Sequence, residues 1–273
     1  MEKVGIQSRL WNASWPKVAA VAVVVVAWEL AVASGWRSRD LLPGPDVVLR
    51  RLLHLMGTAN FYKAVAITMA RAAAGFVVAG VVGVAAGVAC ALSPAVRSAI
   101  GSLITGLQSF PSIIWAPFAL LIFSHQPEEA ILFVVAMGAA PSIANGLIIG
   151  IDQVPPATIE AGRILGARGF TLYRMLILPA SMPHFIAGLS QGWAYGWRSL
   201  MSAELIVVLL GRPSLGTQLQ AARLHTDMPT LLGLMVVILV IGIAADQFFA
   251  WADRRVRGRY GLLARRGTLQ PAS

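Results

Sequence analysis

The sequence predicts an all-α fold, a polytopic membrane helix bundle with about six transmembrane helices and a cytoplasmic helix-turn-helix. Of the 273 residues, 57% are hydrophobic and only 12% are charged, which is about half the charged fraction of a typical soluble domain. The mean hydropathy is +0.72. The apolar residues also fall in blocks of the roughly 20 residues that a helix needs to cross the hydrocarbon core. These observations place most of the chain in a lipid bilayer.

Six apolar blocks are candidates for membrane-spanning helices. They are residues 18–35, 64–92, 99–123, 129–150, 183–210 and 230–251. Their order predicts four segments along the chain. Residues 1–17 form a cytoplasmic N-terminal segment, and residues 18–63 form a first helix with an outer amphipathic segment. Residues 64–253 form a transmembrane core with a cytoplasmic loop at 152–179, and residues 254–273 form a basic cytoplasmic tail.

The first block permits two interpretations. It follows a basic leader and contains Ala31, Val32 and Ala33, a small-x-small pattern typical of a signal-peptide cleavage site. Glu29 lies inside the apolar run and the leader is long, which favours a retained helix. Both interpretations stay open at this point, and the intact mass of the purified subunit distinguishes them.

The basic residues indicate membrane orientation and not nucleic-acid binding. There are 22 Lys and Arg against 12 Asp and Glu, and most of the basic residues lie between or after the apolar blocks. Lys and Arg mark the cytoplasmic side of a membrane protein, so the Arg-rich tail predicts that both termini are cytoplasmic. The outer loop after the first block is an exception, since it also holds five basic residues. Its residues 46–56 have the pattern of an amphipathic helix at the membrane surface.

The second block carries small residues at every fourth position, which places them on one helix face: Gly75, Ala79, Gly83, Gly87 and Ala91. Such faces let helix backbones approach closely in lipid. The pattern predicts a tight helix–helix seam. The alternative is chance, because Gly and Ala are abundant in this chain.

Polar residues within the predicted spans are candidates for a translocation path. Pro111 and Pro117 are expected to bend the third block and Pro141 the fourth, and an intramembrane charge is a functional hypothesis by default. The candidate path residues are Gln108, Ser112, Asn145, Gln191, Arg198 and Glu204. The alternatives are local repair of the kinked backbone by the polar groups and an Arg198 that reaches outward to water.

The loop at 152–179 is too polar to cross a membrane and too apolar for a free loop. The Pro155-Pro156 pair suits a helix start, and Gly166 and Gly169 suit a turn. A second short helix is expected to end before Pro179. Gly162 and Gly166 would leave a flat strip on the first helix, which predicts docking into a groove on another protein.

This loop resembles the cytoplasmic signature of ABC importer permeases, which reads Glu-Ala-Ala, three residues, Gly, nine residues, Ile-x-Leu-Pro. The chain has Glu160-Ala161-Gly162, three residues, Gly166, nine residues and Leu176-Ile177-Leu178-Pro179. Gly162 replaces the third Ala and Leu176 replaces Ile, while the spacing is intact. Further segments are similar to the nitrate/sulfonate/taurine branch of the binding-protein-dependent transport inner-membrane components: residues 110–112, 116–117, 155–156, 197–204 and 214–216.

The resemblance implies a type I ABC importer fold in a bacterial inner membrane. It implies a homodimer of permease subunits, two ABC ATPase subunits and an extracytoplasmic substrate-binding protein. The solute would be a small anion or zwitterion, such as an aliphatic sulfonate, taurine or nitrate, moved by alternating access. The ATPase-coupling residues would be Glu160, Ala161, Gly162, Gly166, Leu178 and Pro179.

No catalytic residue or cofactor is expected in this chain, and ATP with Mg²⁺ would be bound by the partner ATPase. A P-loop needs G-x-x-x-x-G-K-[ST], and none of the three lysines follows a glycine. Cys90 and the four scattered histidines lack metal-ligand spacing, and nothing resembles the residue set of a membrane-embedded enzyme. The alternative function is a self-sufficient secondary transporter or channel, which explains the spans but not the helix-turn-helix.

Overall fold

The structure, a computed structural model, describes residues 3–207 and 212–259, and these residues form helices and connecting turns without a strand. A 3₁₀ turn at Ser112–Ile114 precedes α5, and a π-helical turn at Tyr173–Ile177 precedes α9. The predicted all-α fold is confirmed. The helices are α1 Lys3–Ala33, α2 Pro45–Met56, α3 Ala59–Leu92, α4 Pro94–Ser109, α5 Trp115–Ile122, α6 Pro127–Asp152, α7 Pro156–Ile164, α8 Gly169–Leu172, α9 Leu178–Ile206, α10 Leu215–Leu224 and α11 Met228–Arg259.

Within the described residues, three helices are long and apolar enough to cross a membrane. They are α3, α6 and the Met228–Val256 part of α11. A fourth crossing is possible if α4 and the bent segment that follows it count as one span. The apolar part of α1, Val18–Ala33, is shorter, and α9 has 29 residues but carries polar side chains along its length. Each predicted block except the third therefore lies mainly on one helix.

The third predicted block is broken at Pro111. α4 ends at Ser109, Phe110 is extended at φ −75° and ψ 126°, and the chain direction changes by 97° before it continues. Proline disfavours helical backbone angles at the residue before it, here Phe110, which explains why α4 ends at Ser109. The expected bend at Pro117 is wrong, because Pro117 lies in the first turn of α5, where no amide donor is needed. α6 continues through Pro141.

The fifth block starts earlier than predicted. The expected helix end before Pro179 is wrong, since α8 leads through the π-helical turn directly into α9 at Leu178. Pro179 lies in the first turn of α9, where its missing N–H removes no hydrogen bond of that helix. Residues 208–210 of the block lie outside the described residues.

The chain divides into two compact units, and the first comprises Met1–Tyr62 and Gln218–Val237. The predicted amphipathic helix at 46–56 is α2. Arg51 donates to Asp227 Oδ2 at 2.8 Å and to Thr230 Oγ1 at 2.7 Å. Burial acts to raise the pKa of Asp227, but the hydrogen bonds from Thr230 and the charge of Arg51 outweigh it and hold this pKa below its ordinary value.

The second unit comprises Lys63–Thr217 and Ile238–Ser273, and glycines bring its helices together. A Cβ added at Gly83 would lie 2.7 Å from the carbonyl oxygen of Ala140 on α6. The predicted seam on α3 is therefore confirmed. A second seam, absent from the predictions, joins α6 to α9, where a Cβ at Gly146 would lie 2.5 Å from the Cα of Gly188. Backbones approach this closely only where side chains are missing.

Candidate functional site

The loop at 152–179 forms a compact helical hairpin. α7 begins after Pro155, and Glu160 and Ala161 lie exposed on it. The chain turns at Gly166 and Gly169, whose φ angles of +87° and +51° lie in the left-handed region that favours glycine. The returning helical segment leads to Leu178, which is 38% exposed, and to the half-buried Pro179.

Gly162 is buried inside the hairpin. Its Cβ position would lie 3.0 Å from Leu172 Cδ1 and 3.1 Å from Leu176 Cδ1. Gly162 thus lets α7 pack against the returning helix inside the hairpin, and Gly166 lies beyond the end of α7. The expectation that these two glycines form a flat docking strip on one helix is wrong.

Apolar side chains project from the end of this hairpin. Ile164 and Leu165 are each 86% exposed, Phe170 is 77% exposed and Met175 is 73% exposed. Large exposed apolar groups that cluster on a polar segment mark an interaction surface. We call these four residues the apolar tip.

A separate cavity of about 240 Å³ opens where α4 ends. It collects three of the six predicted path residues, Gln108, Ser112 and Arg198. The Arg198 guanidinium lies over the Tyr195 ring, 5.2 Å from its centroid. Gln108 also donates from Nε2 to the carbonyl oxygen of Pro141 at 3.1 Å. The cavity therefore presents amide, hydroxyl and guanidinium donors to one volume.

The other predicted path residues lie elsewhere. Asn145 is half-buried on α6 and Gln191 is exposed on α9, and neither lines this cavity. Glu204 is fully buried in a network of protein groups. The path role of these three residues stays a prediction.

Glu204 is held by donors from two segments of the second unit, α3 and the start of α10. Arg71 Nη1 donates to its Oε1 at 2.8 Å, Thr68 Oγ1 lies 3.0 Å from its Oε2, and the Gly216 amide donates to Oε2 at 3.0 Å. A Cβ at Gly216 would lie 2.3 Å from the Glu204 Cβ, so only glycine fits beside this carboxylate. Each of these hydrogen bonds reduces the free-energy cost of burying the charged carboxylate.

Arg71 extends this network toward the surface of the unit. It donates from Nε and Nη2 to the two carboxylate oxygens of Glu128, both at 2.8 Å. Arg212 Nη1 reaches the same Glu128 at 3.0 Å. We call Arg71, Glu204, Glu128, Thr68 and Arg212 the ion network.

Arg71 was missing from the predicted site residues, although a signal for it exists. It is a basic residue within an apolar block, and such charges almost always have a specific partner. The sequence places it on α3, far along the chain from Glu128 and Glu204, so its partners could not be read from local spacing. In the part of the chain that the structure describes, no group of three or more His, Cys, Asp or Glu side chains could hold a metal ion.

Comparison with known proteins links the chain to one transport family. Residues 59–258 match the family model described as the binding-protein-dependent transport system inner membrane component. The taurine transport system permease protein TauC of Escherichia coli is 28% identical over 268 residues, which cover 94% of this chain and 96% of TauC. The nitrate import permease protein NrtB of Synechocystis is 26% identical over 246 residues, which cover 87% of each chain.

A solved structure shares the fold. A chain of the MetNI methionine ABC transporter, in an inward-facing conformation, superposes with a TM-score of 0.62 at 19% identity, covering 72% of this chain and 96% of that chain. This similarity identifies the fold and says nothing about the solute that this chain transports.

Proposed function

We propose that this chain, which belongs to the family of binding-protein-dependent transport system inner membrane components, forms the solute path of an ATP-driven importer for a small anion or zwitterion. The chain is an ABC importer permease by family. The proposal adds its partners, its solute class and its coupling element. In this proposal ATP hydrolysis takes place in a separate ATPase subunit, and solute arrives on an extracytoplasmic binding protein.

The apolar tip is the observation that carries the proposal. A helical hairpin with four exposed apolar side chains at its end is costly in water unless a partner covers it. A self-sufficient secondary transporter or channel does not explain such an element. An ATPase with a matching groove would cover Ile164 and Phe170 and would move the hairpin when ATP binds. Because the hairpin continues into α9 without a break, that motion would be carried into the membrane.

The cavity at the end of α4 supports the proposed solute class. Among the described residues, no carboxylate pairs with Arg198, whose guanidinium lies over the Tyr195 ring. A guanidinium with free donors binds sulfonate, carboxylate or nitrate oxygens in a planar, two-point fashion. The neighbouring Gln108 and Ser112 can donate further hydrogen bonds. Taurine and nitrate, which are named in two of the relatives, both offer such oxygens.

The assembly that we propose is a homodimer of this chain with two ATPase subunits and one binding protein. Both termini would lie in the cytoplasm, on the same side as the hairpin at 152–179 and the Arg-rich end of α11. Alternating access would open the path first to the binding protein and then to the cytoplasm.

The test is to place a charge on the apolar tip. Phe170→Asp should reduce co-purification of the ATPase and should reduce ATP-driven uptake in proteoliposomes together. A buried Phe contributes about 1.5–3 kcal/mol on transfer from water, and an added carboxylate in the interface increases the loss, so binding should weaken at least about tenfold. Glu160→Lys, which leaves the tip in place, should uncouple ATP hydrolysis from uptake.

Thr158→Asp is the matched control, since it adds the same charge to an exposed position in the first turn of α7. It should bind the ATPase as the unmodified chain does. If Phe170→Asp leaves both ATPase binding and uptake intact, the proposed coupling role is wrong. Uptake that needs no ATPase would instead favour a self-sufficient transporter.

A further inference from the structure

The first unit contains a cavity of about 580 Å³ that the proposed transport function does not use. It lies between the end of α1, the connection to α2, the first turns of α2 and residues 226–229. Its wall carries charges of both signs: Glu29, Asp40, Asp46, Asp227, Arg39 and Arg50.

Half of these charges are already neutralised within the unit. Arg50 pairs with Asp46 one helical turn away, and Asp227 is held by Arg51. For Glu29, Asp40 and Arg39, the described part of the chain provides no hydrogen bond or ion pair. The cavity therefore offers two unpaired carboxylates and one unpaired guanidinium.

The backbone keeps this space open at Gly44. A Cβ there would lie 2.8 Å from Asp46 Oδ1 and 3.7 Å from Glu29 Oε2, so these two carboxylates flank the glycine. Asp46 has Arg50 to balance it, but Glu29 has no such cation. Trp28 next to it is fixed by a hydrogen bond from Nε1 to the carbonyl oxygen of Pro43 at 3.1 Å, which holds α1 against the connection and sets the position of Glu29.

Exposed apolar side chains lie on both helices that border the cavity, α1 and α2. The apolar segment Val18–Ala33 ends four residues after Glu29, about 6 Å along a helix axis. Val26 and Leu30 beside Glu29 are 56% and 64% exposed, as expected for side chains that face lipid. The adjoining α2 is an amphipathic helix, whose Leu49 and Leu53 are 56% and 60% exposed.

We propose that this cavity binds the head group of a zwitterionic phospholipid with a primary ammonium, phosphatidylethanolamine. The ammonium donates hydrogen bonds to Glu29 and Asp40, and the phosphodiester accepts from Arg39. The exposed apolar side chains of α1 and α2 contact its acyl chains. The proposal rests on the first unit alone and does not depend on which solute the protein transports.

The pattern of charges selects this head group over others. Phosphatidylglycerol carries the phosphate but no cation, and it would meet two unpaired carboxylates. Phosphatidylcholine carries a quaternary ammonium, which has no N–H to donate. Among these three head groups, only phosphatidylethanolamine has a primary ammonium beside its phosphodiester, which matches both the carboxylates and the guanidinium in the cavity.

The experiment measures which lipids the protein retains. The complete transporter is purified, exchanged into an equimolar mixture of phosphatidylethanolamine, phosphatidylglycerol and phosphatidylcholine, and examined by native mass spectrometry. The unmodified chain should retain phosphatidylethanolamine preferentially. Glu29→Gln should reduce that preference about tenfold, the effect of losing one hydrogen bond to a charged group, and Arg39→Gln should weaken retention of all phospholipids.

Arg37→Gln is the matched control, because Arg37 lies in the same connection and stacks on Trp36 but does not line the cavity. It should retain lipid as the unmodified chain does. Size-exclusion elution shows whether each variant is folded, and Asp40→Asn, on the exposed connection, carries the same prediction as Glu29→Gln. Soluble glycerophosphoethanolamine, added in excess, should fail to displace the lipid.

Four results would overturn the proposal. Equal retention by all variants would remove the cavity as the site, and equal retention of phosphatidylglycerol would remove the head-group assignment. Displacement by the soluble head group would identify a free solute and not a lipid as the occupant. Unchanged lipid retention with loss of binding-protein-stimulated activity would make the cavity a protein docking surface.

Discussion

Removing Arg71 should expose how strongly the ion network depends on it. Glu204 is fully buried, and Arg71 is the basic group that contacts it among the described residues. Arg71→Met keeps much of the side-chain volume but leaves a buried carboxylate without its counter-charge. Breaking a buried ion pair from one side costs about 3–5 kcal/mol.

A second substitution separates the buried charge from the loss of packing. In Arg71→Met with Glu204→Gln, the amide oxygen can still accept from Thr68 or Gly216, and no buried charge remains. Because the charge without a partner causes most of the cost, the double variant should recover more than half of the lost stability. The two effects are non-additive because the side chains are in contact.

The assay is thermal unfolding of the purified transporter, followed by tryptophan fluorescence. Arg71→Met should lower the Tm by on the order of 10 °C, and the double variant should lie between it and the unmodified chain. Arg212→Met is the control, since Arg212 contacts the same Glu128 but its side chain is 65% exposed. It should change stability by at most about 1 kcal/mol. A Tm for Arg71→Met within the error of the unmodified chain, or no recovery in the double variant, would refute this reasoning.

Three further predictions concern single positions. Gly83→Leu should prevent assembly because the added Cβ would lie 2.7 Å from a carbonyl oxygen of α6. Gly80→Leu is the control on the same helix, since a Cβ there meets open space, and this variant should assemble normally. Size-exclusion profiles of the two variants test the difference. The folded-state pKa of Asp227 is depressed, so the ionised carboxylate should stabilise the fold above the ordinary carboxylate pKa, and this stabilisation should be lost as pH falls through the lower folded-state value. Asp227→Asn should flatten this loss of stability at acid pH, as measured by pH-dependent unfolding. An unchanged pH profile would contradict the prediction. Arg198→Gln should reduce ATP-driven uptake of an anionic solute at least about tenfold while ATPase binding stays intact, and unchanged uptake would remove Arg198 from the path.

The helices could be predicted because their signal is local. Long apolar runs identify α3, α6 and α11, and the motif from Glu160 to Pro179 identifies the hairpin. The seam on α3 was also predictable, because small residues at every fourth position lie on one face wherever the partner helix comes from. These features depend on residues within a few turns of one another.

Contacts between distant segments could not be predicted in the same way. Arg71 and Glu204 are 133 residues apart, and nothing in their neighbourhoods pairs them. The close approach of Gly146 and Gly188 likewise depends on how two helices cross. The docking strip predicted at Gly162 was wrong because a helix face without side chains can pack inward or bind a partner, and only the position of Leu172 and Leu176 decides between the two.

In the proposed transporter, the apolar tip contacts the ATPase. Cys90 is the only cysteine and is buried, so Cys90→Ala with Leu165→Cys gives one reactive thiol on the tip. A thiol-specific photo-cross-linker on that residue, in membranes that contain the complete transporter, should link this chain to the ATPase subunit, and ATP with vanadate should change the yield. A probe at position 165 that labels only lipid or solvent, while the transporter remains active, would contradict the account.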